Sequence, residues 1–164
     1  MAATGLIPIE CVLPDGWRSV PPAETDAGDV AFVALHPASS NGFTANITIG
    51  GEVGGAEVPL ALIADETLAR LRTSVHDLRI GERVVFGSAH NPGLTQAVRL
   101  SVELHGRMRD IVQLQVHVGF RDTRDRRGQV VLHIVLSATP EQFEHVIGDF
   151  QQFVSTIRPD RETP

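Results

Sequence analysis

Residues 129–157 read QVVLHIVLSATPEQFEHVIGDFQQFVSTI, a strand pattern followed directly by a helix pattern. Every second residue of the segment 130–136 is a large aliphatic, which indicates a strand with one fully apolar face. Thr139 and Gln142 have the spacing of a capping box, and Pro140 occupies the first helical position. Apolar residues then recur at intervals of three and four. The stretch therefore predicts a C-terminal helix that packs on a sheet.

The rest of the chain contains one more helix pattern and a series of shorter strand patterns. One apolar stripe runs through residues 59–75, as expected of an amphipathic helix. Strands are predicted at residues 7–13, 30–35, 43–49, 77–86, 94–105, 109–120 and 129–137, whereas residues 18–28 have the composition of a loop. The element order β-β-β-α-β-β-β-β-α predicts an α+β fold. We expect a single domain over residues 1–164, with its core at about 7–157 and a six- to seven-stranded, largely antiparallel sheet.

Composition and charge narrow the classes of partner. The chain has 164 residues, of which 42% are hydrophobic and 21% charged, and these values are typical of a globular protein. Its net charge of −6 disfavours both nucleic acid and anionic lipid surfaces, because like charges repel. No apolar run is long enough to cross a bilayer. We therefore expect no nucleic-acid partner and no membrane insertion.

Several kinds of catalysis are excluded by the residues that the chain lacks. All 14 basic residues are Arg, so a phosphate-binding P-loop lysine and a Schiff-base lysine are both absent. Cys11 is the single cysteine and there is no Tyr. A lone cysteine cannot build a cysteine-rich zinc site, and it fits a reducing compartment. No basic residue precedes Arg18, so no secretory signal is predicted and a cytoplasmic location is expected. No cofactor or metal is expected.

Two histidines within the predicted strands are the main candidates for a site. In residues 109–120, Gln113, Gln115 and His117 share the face opposite the apolar one. In residues 129–137, Val131, His133 and Val135 do the same. Pairing the two strands as a hairpin places His117 directly across from His133 or diagonal to it.

The neighbouring strand at 94–105 is expected to add Arg99, Ser101 and Glu103 to this mixed face. One interpretation is a surface that binds a protein or small ligand and leaves an apolar or concave patch exposed around Val131, Val135 and Ile111. Its residues would be Arg99, Gln113, Gln115, His117, Val131, His133 and Val135. Trp17 either joins them as a partner anchor or closes an edge of the core. The alternatives are an ordinary solvated sheet face, and a small hydrolase or metal enzyme built on His117, His133 and Glu103.

The segments LPDGW (13–17) and FTANITI (43–49), taken with the element order, resemble the PsbP-like fold and most of all its LpqN-like branch. Relatives of that fold include the photosystem II extrinsic subunit, the Ran-binding Mog protein and bacterial chaperones for secreted effectors. The resemblance extends from about Ile7 to Ile157 and includes no catalytic motif. It implies a non-enzymatic binding or adaptor protein, with a link to secretion as one use. Assembly as a homodimer through an open sheet edge is a further alternative.

Overall fold

The computed structural model describes residues 2–3, 9–21, 31–36, 42–54, 59–88, 91–121 and 129–159. Its strands are β1 (Ala2–Ala3), β2 (Ile9–Cys11), β3 (Arg18–Val20), β4 (Phe32–Leu35), β5 (Asn46–Gly54), β6 (His76–Gly87), β7 (Pro92–Leu104), β8 (Arg107–Arg121), β9 (Gln129–Ala138) and β10 (Arg158–Pro159). Its helices are α1 (Leu60–Arg72) and α2 (Pro140–Thr156). Both predicted helices are present, and the predicted α+β class is confirmed.

Seven strands form one antiparallel sheet in the order β3-β4-β5-β9-β8-β7-β6. The strand predicted at 7–13 lies outside it, because β2 pairs with β1 and β10 in a small separate sheet. The seventh strand of the main sheet is β3, which the composition of residues 18–28 had indicated as loop. Three residues are too few to carry a recognisable period, and their pairing with β4 defines the strand.

Helix α2 covers one face of the sheet, which we call the α2 face. Its start is fixed by the predicted capping box: Thr139 Oγ1 accepts from the Gln142 amide nitrogen at 3.2 Å, and Gln142 Oε1 accepts from the Thr139 amide nitrogen at 2.9 Å. Val146, Phe150 and Phe153 are buried in the main core. That core also contains the even-numbered residues of β9, Val130, Leu132, Ile134, Leu136 and Ala138.

Helix α1 covers the opposite face, which we call the α1 face. Leu60 and Ile63 pack with Leu94 of β7 and Val131 of β9, while Leu68 packs with residues from β7 and β8. The sequence predicts that the helix at 59–75 covers the mixed face incompletely, at one end, and the observed cover is more extensive. Neither helix in the described part of the chain has the length and apolar character needed to span a membrane.

The register of β7 corrects one prediction. Leu94 is paired with His117, and Arg99 with Val112. Because residues paired across strands point to the same face, Leu94 lies with His117 on the α1 face. Arg99, and with it Ser101 and Glu103, therefore lies on the α2 face, so their predicted placement beside the histidines is wrong. The apolar set of β7 faces α1 because α2 packs on β8 and β9 and does not extend to β7.

Strand β6 differs from its prediction through a bulge. Ile80 pairs with Val98 and Arg83 with Gln96, so Gly81 and Glu82 together oppose a single residue of β7. One extra residue reverses the alternation of side chains beyond it. Residues before the bulge, such as Leu78, pack toward α1, whereas Val84 and Phe86 point to the α2 face. Simple alternation along residues 77–86 of the sequence predicts that Leu78, Ile80, Val84 and Phe86 share one face, and the bulge makes this prediction wrong.

Candidate functional site

The structure brings the two predicted histidines into direct contact. His117 of β8 is paired with His133 of β9, with their Nδ1 atoms 2.7 Å apart and their rings edge to face at 76°. A hydrogen bond between two ring nitrogens needs one proton, so one Nδ1 donates and the other accepts. The protonation of the two Nδ1 atoms is therefore linked, because only one of them carries the shared proton.

Burial decides the chemistry of this pair. His117 is 0% exposed, and its Nε2 has no hydrogen-bond partner among the described residues. Burial, and after it the nearby His133 and Arg83, lower the pKa of His117 to about 4. A ring that is uncharged at neutral pH and closed off from solvent cannot reach a substrate proton.

A series of hydrogen-bonded side chains lies beside the histidines on the α1 face. Arg83 donates from Nη2 to Asp65 Oδ1 of α1 at 2.8 Å and from Nε to Gln96 Oε1 at 2.7 Å. Gln96 Nε2 donates to Gln115 Oε1 at 3.2 Å, and both amides are almost fully buried. These hydrogen bonds therefore connect the surface of α1 to the buried side chains of the sheet.

The same series of hydrogen-bonded side chains continues to β9. Gln115 Nε2 donates to Gln113 Oε1 at 3.1 Å, and Gln113 Nε2 donates to Ser137 Oγ at 3.2 Å. Each amide thus accepts from one neighbour and donates to the next. Buried polar groups linked in this way fix the position of the elements that carry them. Whether Gln113, Gln115, His117 and His133 also bind a ligand remains a prediction.

The alternative site of a hydrolase or metal enzyme does not assemble. Glu103 lies on the α2 face at the far end of β7 from Leu94, the partner of His117, and the separation along the strand is about 30 Å. Within the described residues, no group of three His, Cys, Asp or Glu side chains lies close enough to hold a metal ion. The two histidines have no converging third ligand there.

The expectation of an exposed apolar patch around Val131, Val135 and Ile111 is wrong. Val131 and Ile111 are buried in clusters that contain residues of α1, and Val135 is half-buried. Trp17 closes an edge of the main core: it is buried, its Nε1 donates to Asp149 Oδ2 at 3.0 Å, and its ring meets His36 edge to face. The apolar face of α1 occupies the surface on which docking was expected.

A different surface is open. Helix α2 does not extend over the α2 face of β6 and β7, where Val84 and Phe86 are 46% and 42% exposed. We call this surface the open strip and define it by Arg79, Val84, Phe86, Ala97 and Arg99. Sequence reasoning had predicted only Arg99 as part of a site, and on the other face. The sequence signal that points to the open strip is Gly81, because an isolated glycine inside a strand pattern suggests a bulge, and a bulge changes the face to which Val84 and Phe86 point.

A cavity of about 470 Å³ adjoins one end of the open strip, between β6 and the C-terminal end of α2. Its walls are mainly apolar and include Phe86, Val118, Phe120, Leu132, Val154 and Ile157. The ring of Phe86 lies over Gly93, where a Cβ atom would come within 2.3 Å of it. Glycine at 93 therefore lets the Phe86 ring lie flat against β7 as one wall of the cavity.

Two guanidinium groups mark the other end of the open strip. Arg79 and Arg99 are directly paired across β6 and β7, and both are exposed. They border a recess of about 400 Å³ whose other walls include Ala97 and Val112. In the described part of the chain neither arginine forms an ion pair, since the salt bridge found there joins Arg83 to Asp65. Like charges placed opposite each other are unfavourable unless an anion offsets them.

Comparison with known proteins identifies the fold. LpqN of Mycobacterium tuberculosis, involved in cell envelope biogenesis, is 13% identical with a TM-score of 0.61, over 93% of this chain and 83% of that chain. The Ran-binding protein Mog1p of Saccharomyces cerevisiae is 14% identical with a TM-score of 0.54, over 93% and 90%. Cyanobacterial PsbP from Synechocystis sp. PCC 6803 is 10% identical with a TM-score of 0.54, over 97% and 96%.

The chain adopts a PsbP-like fold. No protein-family model matches the sequence, and no curated protein matches it either. At these identities the likeness concerns the fold alone, so the PsbP-like sheet and its two helices are the shared features. The resemblance suggested by LPDGW and FTANITI is confirmed at that level.

Proposed function

We propose that this PsbP-like chain is a non-enzymatic binding protein that docks a partner protein on the open strip. The observation that carries the proposal is the exposure of Val84 and Phe86 beside a largely apolar cavity, on a sheet face that α2 leaves uncovered. Exposed apolar surface of this kind is typical of interaction sites. Ran binding by Mog1p supports protein binding as a use of this fold.

The alternative of a catalytic histidine receives little support from the geometry. His117 is sealed beneath α1, and the polar side chains around it are engaged with one another. The open strip, in contrast, combines apolar area with exposed positive charge at Arg79 and Arg99, the combination that protein interfaces use for affinity and for orientation. An adaptor role in the cytoplasm fits a chain whose single cysteine, Cys11, is buried.

Site-specific photo-crosslinking in the native host tests the proposal. A photoreactive amino acid is placed at Val84 and, as the control, at Leu62, which is equally exposed on the outer surface of α1. We expect one discrete protein adduct from position 84, absent when Arg79 and Arg99 are both changed to Glu, and no such adduct from position 62. No adduct at 84, or the same adduct at both positions, contradicts docking on the open strip.

A further inference from the structure

Within the described residues, strand β6 forms a long open edge of the main sheet. It is the last strand in the order of the main sheet, and its 12 residues contrast with 3 in β3 at the other end. An edge strand presents backbone N–H and C=O groups that are free to pair with another strand. A short edge strand offers few groups for such pairing. This applies to β3 with its 3 residues but not to β6 with its 12.

The two halves of β6 differ in how they are protected. The first half contains two register shifts and the charged residues Asp77, Arg79 and Glu82, which are features that discourage strand addition. The second half, residues 83–87, pairs regularly with β7 and is apolar beyond Arg83. Val85, on the α1 face, is 75% exposed. No strand among the described residues pairs with its outer edge, so this half can accept one more strand.

Charge indicates the chemistry of the occupant. Arg79 and Arg99 lie about 20 Å along the sheet from Phe86, within reach of the same short extended segment. Asp77 and Asp110 line a recess with these arginines but form no ion pair with them in the part of the chain that the structure describes, and a carboxylate placed directly between the two guanidinium groups would offset their repulsion. Phe86, which a strand added to β6 would contact, is one wall of the apolar cavity.

We infer that the partner contributes an extended, acidic segment that adds to residues 83–87 of β6 as an eighth strand of the sheet. Apolar side chains at alternate positions lie against Val84 and Phe86, and a carboxylate several residues away binds Arg79 and Arg99. Main-chain hydrogen bonds then provide affinity, while the apolar contacts with Val84 and Phe86 and the two arginines provide specificity. This inference rests on the proposed function and specifies its partner.

Selection from a phage-displayed library of random 12-residue peptides tests the inference. We expect enriched peptides that alternate apolar residues and contain Asp or Glu. Their synthetic forms should lose at least tenfold in affinity when alternate backbone amides are N-methylated, because methylation removes the donors to β6. They should lose a similar factor on the Arg79→Gln/Arg99→Gln double variant and none on Leu62→Asp, which alters only the outer surface of α1.

Each other outcome overturns the inference. If no peptide is enriched, or if the enriched peptides lack acidic residues, the partner does not contribute an acidic strand. Peptides that tolerate N-methylation bind without strand addition, although docking on the open strip stands if the adduct from Val84 is found. If the wild-type chain sediments as a dimer that Val85→Lys converts to a monomer, the β6 edge pairs with a second copy instead.

Discussion

His117 and His133 lie side by side, as the sequence correctly predicts, and His117 is buried, which the sequence does not predict. The period of two along β8 and β9 has no interruption between their paired residues, so side-chain parity alone places the two rings together. Their exposure, however, depends on where α1 lies. Nothing in the strand sequences specifies that position, and the burial of Val131 and His117 was therefore beyond prediction from the residues themselves.

Replacing His117 tests its depressed pKa. In the folded state this pKa is about 4, compared with 6.5 for an unperturbed histidine, so the unfolded chain binds more protons between these values. The contribution of the neutral ring is complete above pH 6.5 and is lost as the pH falls toward 4, at up to about 1.4 kcal/mol per pH unit. We expect His117→Leu to flatten this part of the stability profile, measured by urea unfolding at pH 7 and pH 4.5.

The matched control for this experiment is His145→Gln, since His145 is exposed on α2. The control should keep the wild-type dependence of unfolding free energy on pH. An equally steep profile in His117→Leu would mean that another group titrates in this window, and the account of the buried pair would be wrong.

At the scale of elements, α2 and β6 show what local sequence does and does not determine. The start of α2 is encoded by Thr139, Pro140 and Gln142, and the structure contains the reciprocal hydrogen bonds of that capping box. The alternation along β6 is reversed by two residues, Gly81 and Glu82, that oppose one residue of β7. A bulge depends on the register of the neighbouring strand, so the pattern of β6 alone predicted a single apolar face.

Removal of the helix cap tests the element-scale account. Thr139→Ala deletes the acceptor of the Gln142 amide at the buried start of α2. We expect the free energy of unfolding to fall by about 1 kcal/mol, measured by chemical denaturation. Ser155→Ala, which removes an exposed hydroxyl bonded to the Gln152 carbonyl in the last turns of α2, should change it by less than about 0.5 kcal/mol. Equal losses in the two variants would show that the capping box does not stabilise α2.

Across the whole molecule, the two helices divide the sheet unequally. Helix α2 packs on β8 and β9, whereas α1 packs on β7 and β8, and no described helix covers the α2 face of β6 and β7. The class, the number of strands in the main sheet and the two helices were predictable, because they follow from periodicity and capping summed over long segments. The assignment of β7 to one helix or the other was not, because both of its faces offer plausible partners.

The most direct test of docking on the open strip is backbone amide hydrogen exchange, with and without the partner captured at Val84. We predict that exchange slows at least tenfold in residues 83–87 of β6, where edge amides gain a strand, and stays unchanged in α1. Slowing confined to α1 and residues 113–117, with no change at the β6 edge, would contradict the account.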